Sequence, residues 1–272
     1  MKPAPFDYVR AESLAELHDV LAVEGGDAAV IAGGQSLVPL LSMRMARPSV
    51  VVDIMHVEEL GGISIEDKCI RVGATVRQAE LLAWPDLAKR QPLLAEALPW
   101  VGHAQTRARG TVCGSVALAD PSAELPLVLA ALGGNIVLSS KAGRRNVKAA
   151  DFFSGIMSTA RNDDELIESV SFPCRREGEG FAFREFARRH GDFAIVACAA
   201  VASEKTMRLA VGGVADRAVV RDFGADVSDD ALRDFAASLD ARDDLHATAG
   251  YRRMLVRELG RATIEEARQC LA

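Results

Sequence analysis

The sequence has no uninterrupted apolar run near the ~20 residues that a membrane-crossing helix requires, so no membrane span is expected. Residues 1–10 lack the apolar centre of a secretory leader, and the expected location is cytoplasmic. A basic excess is also missing. The formal net charge is -6, and the pairs Arg144-Arg145, Arg175-Arg176, Arg188-Arg189 and Arg252-Arg253 are scattered, which argues against a nucleic-acid footprint. Those pairs are left for an anionic ligand or a protein partner. The cysteines Cys69, Cys113, Cys174, Cys198 and Cys270 lie far apart, none at the close spacing that holds zinc or an iron–sulfur cluster, so no metal is expected in this chain. Cys198, inside an apolar run, reads as a small core residue. Repeats and low-complexity segments are absent.

What is present is apolar substance: 272 residues, 49% of them hydrophobic, are enough to fill the cores of two or three lobes. A short strand at residues 6–9 leads to Ser13-Leu14-Ala15-Glu16, a capping box for a helix with Leu14, Leu17 and Leu21 on one face. Gly25-Gly26 ends it. A strand at 28–32, a helix at 37–45 with Pro39 in its first turn, and a strand at 50–54 complete a small parallel α/β lobe over residues 1–55.

From Gly61 the pattern changes to strands at 63–66 and 69–72 and a capped helix at Thr75-Val76-Arg77-Gln78. A buried helix at 123–132, a strand at 136–139, a turn at Lys141-Ala142-Gly143 and a strand at 166–172 make residues 56–175 a mixed α+β lobe. Glu177-Gly178-Glu179-Gly180 reads as a linker. Residues 180–272 then predict a three-stranded antiparallel sheet at 181–186, 193–201 and 207–214. Helices follow Ser228, span 249–259 and start again at a Thr263-Ile264-Glu265-Glu266 box. The fold class is α+β.

Two stretches carry chemistry. Ala32-Gly33-Gly34-Gln35-Ser36, with Leu37 opening the helix, sits at the carboxyl end of a parallel strand, where such sheets bind ligands. Two glycines there let bare N–H groups approach a phosphate, and the helix start adds unpaired donors and a positive dipole end. The second stretch, Arg107-Ala108-Arg109-Gly110-Thr111-Val112-Cys113-Gly114-Ser115, continues to Asp120-Pro121 and reads as loop-rich and hard to bury. It offers backbone donors for phosphates and side chains for a polyol, which a dinucleotide requires together. Asp120 reads equally as the start of the helix that follows.

These residues resemble a family, the FAD-binding medium subunit of the molybdenum hydroxylases, over essentially the whole chain. Ala32-Gly33-Gly34-Gln35-Ser36 is similar to its first flavin motif, Ala-Gly-Gly-His-Ser, and Thr111-Val112-Cys113-Gly114 to its second, Thr-Ile-Gly-Gly. Residues 119–126 are similar to its Ala-Asp-Pro-Ala-Ala-Glu-Leu-Pro segment, and Gly191-Asp192-Phe193 to its Gly-Asp-Tyr. The resemblance implies a two-lobed FAD-binding unit followed by the family's C-terminal domain. FAD would lie between the lobes, its pyrophosphate on Gly33–Ser36 and Thr111–Gly114, with Ser115 as a further contact. Asp120 would sit near the ribityl or flavin end, and Phe193 beside the isoalloxazine ring. It also implies a large molybdopterin subunit and a small [2Fe-2S] subunit as partners, in a dimer of heterotrimers, with NAD, oxygen or quinone as acceptor.

Two residues depart from the pattern. Gln35 stands where histidine is common and cannot titrate near neutrality, and Cys113 replaces a glycine, so its backbone is expected in the β or bridge region, with a thiol that could face the flavin. His103 and His190 read as structural or surface residues. A valine at Gly33 or Gly34 is expected to expel FAD while sparing the fold. Two other readings are a self-sufficient flavin oxidase of the vanillyl-alcohol-oxidase type and a non-redox nucleotide-binding assembly subunit.

Overall fold

The computed structural model describes residues 2–271. Its first lobe runs β1 (Asp7–Arg10), α1 (Leu14–Glu24), β2 (Ala28–Ile31), α2 (Leu37–Ser42) and β3 (Val50–Asp53), and its three strands pair in parallel in the order β1-β3-β2. The predicted parallel lobe is therefore observed. Ser13 caps α1 by accepting the Glu16 N–H at 3.2 Å, but Glu16 returns its carboxylate to Glu12 rather than to Ser13. Leu17 and Leu21 are the buried face, as the helical spacing required.

The second lobe begins with β4 (Ile63–Glu66), β5 (Cys69–Gly73) and α3 (Gln78–Leu82). Five helices follow: α4 (Leu87–Arg90), α5 (Pro92–Ala97), α6 (Ala104–Arg107), α7 (Val112–Leu118) and α8 (Glu124–Leu132). It closes with β6 (Asn135–Ser140), β7 (Gly143–Lys148), α9 (Ala149–Phe152), β8 (Phe153–Gly155), β9 (Ser158–Thr159) and β10 (Leu166–Pro173). Its main sheet is antiparallel with the order β4-β5-β10-β6-β7. The Lys141-Ala142-Gly143 turn joins β6 to β7, an outer strand whose Arg144 and Arg145 pair at 2.6 Å with Glu168 and Glu165. Those two arginines are paired within the chain.

The stretch read as a loop is instead helical. Thr111 is buried and accepts the Gly114 N–H at 3.0 Å, which caps α7. Val112, Cys113 and Val116 then form its buried face at helical spacing. Cys113 consequently takes a helical backbone, not the β or bridge conformation expected from replacing glycine.

The C-terminal part carries β11 (Gly180–Phe186), β12 (Val196–Ala202), β13 (Thr206–Gly212) and β14 (Val219–Gly224), then α10 (Asp229–Ser238) and α11 (Ala249–Gln269). The sheet has four antiparallel strands, not three; β14 is mostly exposed, and Arg208 holds it through Asp222 at 2.6 Å. The two predicted last helices are one. Thr263 is fully buried in mid-helix, where its hydroxyl donates to the Leu259 carbonyl four residues back, so it caps nothing.

Strand alternation gives the C-terminal sheet two working faces. Phe181, Phe183, Ala197, Ala199 and Ala210 pack into the same core as the two lobes, whereas Val196, Cys198, Ala200 and Leu209 pack under α10 and α11. The small side chains on the first face let α8 lie close. Cys198 is a core residue as read, with burial pushing its thiol up to about 12.

Candidate functional site

The first motif is the turn between β2 and α2. The first helical hydrogen bond runs from the Val38 N–H to the Gly34 carbonyl at 3.0 Å, so the N–H groups of Gly34, Gln35, Ser36 and Leu37 precede any intrahelical partner. Gly34 has φ +72°, a left-handed conformation that glycine reaches without strain. Gln35 folds its side-chain amide back to the Gly33 carbonyl at 3.2 Å.

The second motif is placed by Gln78 and Val76. The Gln78 N–H donates to the Gly110 carbonyl at 2.8 Å, its side-chain amide donates to the Thr111 carbonyl at 3.3 Å, and the Val112 N–H donates to Val76 at 3.1 Å. These bonds hold the start of α7 beside the first motif. The approach is backbone to backbone: a Cβ on Gly33 would fall 2.0 Å from the Arg109 carbonyl oxygen. Among the described residues, no acceptor takes the Cys113 N–H, which leaves it as the donor offered at this end.

Both motifs open into one cleft of about 570 Å³. Ala32, Gly33, Gly34, Gln35, Ser36 and Leu37 line one side, and Thr111, Cys113, Gly114 and Ser115 the other. Arg161 and Asp163, which the sequence reading did not single out, also line it, as do Gln78 from the predicted helix cap and Glu124 from the 119–126 segment. Arg161 and Asp163 sit in the connection between β9 and β10, where no local motif marked them. At the far end stand Val101, Gly102, Thr106 and the Gly191-Asp192-Phe193 loop. Phe193 is 60% exposed and so is not packed in the core. His190 packs tilted against Trp100 with centroids 4.8 Å apart, a packing role in keeping with the sequence reading. Arg107 braces this end by donating one nitrogen to the carbonyls of Pro99, Val101 and Gly102, at 3.2, 3.1 and 2.8 Å.

Val112, Asp120 and the thiol of Cys113 are placed otherwise than the sequence predicted. Val112 is buried outside the cleft with its N–H already used. The Cys113 thiol points inward to the Val72 carbonyl at 3.5 Å, and burial pushes it up to about 12, so it offers no thiolate to a flavin. Asp120 does not line the cleft; it accepts the Ser122 N–H at 2.8 Å, and burial raises its carboxyl above the usual range. Asp120→Ala is therefore expected to cost about 1 kcal/mol of stability, the ordinary worth of one hydrogen bond, and to leave FAD affinity unchanged. Thermal melts with and without saturating FAD check this: a loss confined to the FAD-bound form would restore the ribityl contact.

The comparisons with known proteins now bear on this geometry. The profile described as the FAD binding domain in molybdopterin dehydrogenase matches residues 4–175, and that of the CO dehydrogenase flavoprotein C-terminal domain matches residues 181–267. The chain belongs to the FAD-binding medium subunits of the molybdenum hydroxylases. It is 38% identical to the nicotine 6-hydroxylase medium subunit of Paenarthrobacter nicotinovorans, over 98% of this chain and 99% of the relative. It is equally 38% identical to subunit alpha of the 6-hydroxypseudooxynicotine dehydrogenase complex of the same organism, over 98% and 96%. Among solved structures, carbon monoxide dehydrogenase from Hydrogenophaga pseudoflava superposes with a TM-score of 0.92 at 30% identity, covering 100% of both chains. Quinoline 2-oxidoreductase from Pseudomonas putida 86 does so at 0.91 and 34%, again covering 100% of each. The family is one of dehydrogenase subunits, and its cofactor in this domain is FAD. The residues present suit that cofactor: two backbone cradles face each other across one cleft, and an exposed aromatic stands at its end.

Proposed function

We propose that this medium subunit is the electron outlet of a heteromeric molybdenum hydroxylase. The observation that carries the reading is that both glycine motifs and Phe193 line a single cleft. In it, Gly33, Gly34, Gln35 and Ser36 with Thr111, Cys113, Gly114 and Ser115 hold the FAD pyrophosphate, and Phe193 covers the ring. When bound, FAD supplies two-electron chemistry that can be refilled one electron at a time. The chain itself binds and orients the cofactor, and its exposed ring end leaves room for a neighbouring subunit and an acceptor. A small [2Fe-2S] subunit delivers the electrons, a large molybdopterin subunit oxidises the substrate, and NAD, oxygen or quinone receives the electrons. The complex is a dimer of such heterotrimers. It works in the cytoplasm, in keeping with the lack, among the described residues, of any helix long and apolar enough to cross a membrane.

The purified chain is expected to be yellow, absorbing near ~450 nm. It should reduce dyes slowly with NADH and oxidise no organic substrate until the two partner chains are added. Turnover of an organic substrate by the chain alone would select a self-sufficient oxidase instead, and a colourless protein that binds ADP-like ligands would select the assembly role.

A further inference from the structure

Phe193 is exposed at the end of the cleft, so its place is set by the backbone on either side of it rather than by packing of its ring. On one side Gly191, at φ +86°, lies so close to the second lobe that a Cβ there would fall 2.6 Å from the His103 Nδ1 and 2.9 Å from the Gly102 carbonyl oxygen. On the other side stands Ile195, whose N–H donates to the Phe186 carbonyl at 2.9 Å. The carbonyl of Ile195 is taken by an arginine of α11.

α11 turns Arg252 inward together with Leu255 and Val256, which pack in the core of the C-terminal part. Arg252 is 4% exposed. One of its guanidinium nitrogens donates to the Ile195 carbonyl at 2.7 Å and also to the Gly213 carbonyl, and another donates to the Asp244 carboxylate. Gly213 is itself tied to the second lobe, because its N–H donates to the Pro121 carbonyl at 2.7 Å. At φ +77° it comes so near the start of β12 that a Cβ would fall 2.7 Å from the Ile195 carbonyl oxygen. Two carbonyl oxygens converging in so little space repel each other unless a donor lies between them, and the buried cation in turn requires these partners.

We propose that Arg252 is the positioning residue that holds Phe193 at the ring end of the cleft, by tying Ile195 to Gly213 and, through Gly213, to Pro121 of the second lobe. The inference rests on reading the cleft as an FAD site. Arg252 does not line the cleft and acts through Phe193.

The number of partners accounts for an arginine here. Acceptors from three separate segments converge on it, and a planar guanidinium presents its N–H groups in a fixed fork that the point charge of a lysine does not reproduce. A methionine fills similar space and donates nothing. Asp244 keeps its own place without Arg252, since it also accepts the His246 and Ala247 N–H groups at 2.8 and 2.9 Å. Its side chain is 47% exposed, so Arg252→Met leaves it to water rather than as a buried orphan.

Two readouts on the full chain test the assignment. In the flavin-free chain, amide hydrogen exchange read by mass spectrometry should speed up about tenfold over residues 187–195 in Arg252→Met and stay unchanged in the sheet of the first lobe. In the FAD-loaded chain, Phe193→Ala and Arg252→Met should each weaken FAD about tenfold and alter the visible circular dichroism of the bound flavin in the same way, and the double variant should match the single ones, because both remove one contact. A merely structural arginine predicts losses that add in the double variant and a wild-type flavin spectrum in Arg252→Met. Either of those results, or wild-type exchange over residues 187–195, would overturn the proposal. Should Arg252→Met not fold, Arg252→Lys, which keeps a charge beside Asp244, carries the same comparisons with an intermediate effect expected. A chain that binds no flavin would refute the FAD reading, while the exchange measurement still decides whether Arg252 holds the Phe193 segment.

Discussion

Gly33→Val is expected to abolish FAD binding and to lower the stability of the flavin-free chain at the same time. The Gly33 Cβ would fall 2.0 Å from the Arg109 carbonyl oxygen and 2.7 Å from the Gly110 Cα. Both neighbours are backbone, fixed by the Gln78 bond to Gly110, so neither can swing aside as a side-chain tip would. Overpacking of this kind costs roughly 1–3 kcal/mol or more, and each kcal/mol lowers Tm by about 2–4 °C in a chain of this size. The motifs must separate to admit the methyls, which dismantles the cradle, so affinity for FAD should fall more than a hundredfold, or about 2.7 kcal/mol. This revises the expectation that the substitution would spare the fold. Gly34→Val acts differently: its Cβ meets only side chains, the nearest at 3.2 Å on Val38, and its cost is the φ of +72°. Flavin content after gel filtration, with melts of the flavin-free protein, tests both. A Gly33→Val chain with stoichiometric flavin and the wild-type melt would sink the claim that the motifs brace one another.

Ser115→Asp should separate binding from stability with opposite signs. Ser115 lies in the first turn of α7 and lines the cleft. A carboxylate there favours the helix, by about 0.3–1 kcal/mol, because it faces the positive dipole end. The same carboxylate opposes the negative pyrophosphate; two unit charges ~4 Å apart at an effective dielectric near 20 repel by about 4 kcal/mol. With partial screening the expected loss of FAD affinity is still about a hundredfold, accompanied by an unchanged or slightly raised melt of the flavin-free chain. Titration of flavin-free protein with FAD measures the first effect and calorimetry the second. Wild-type affinity in Ser115→Asp would move the pyrophosphate away from α7.

Local signals were legible where a side chain answers its own neighbours. Ser13 and Ser228 cap helices because the bonds they make close within three residues, and the alternation of strand and helix in residues 1–55 leaves a parallel sheet as the outcome. The glycine cradle was legible for the same reason. Other elements were invisible because distant residues decide them. β14 carries Arg221 and Asp222 on an exposed edge, and it is a strand because its backbone pairs with β13 along its length, with Val219 and Phe223 against the C-terminal core and Asp222 held by Arg208. Gly260 reads as a helix end, yet α11 passes through it, since the missing side chain admits Leu209 and Leu232 to within 3.1 and 3.4 Å of where a Cβ would stand.

The sequence by itself determined the parallel first lobe, the two glycine motifs and the family to which they belong, since these depend on residue type at short spacing. Tertiary structure alone decided which motif residues face the cleft. Helical periodicity turns the Val112 and Cys113 side chains into the core and leaves Gly114, Ser115 and the Cys113 backbone along the cleft, and an Asx turn closes Asp120 on Ser122. It alone also buried Glu124 at the start of α8 on the wall of the cleft, a placement that no neighbour in sequence dictates.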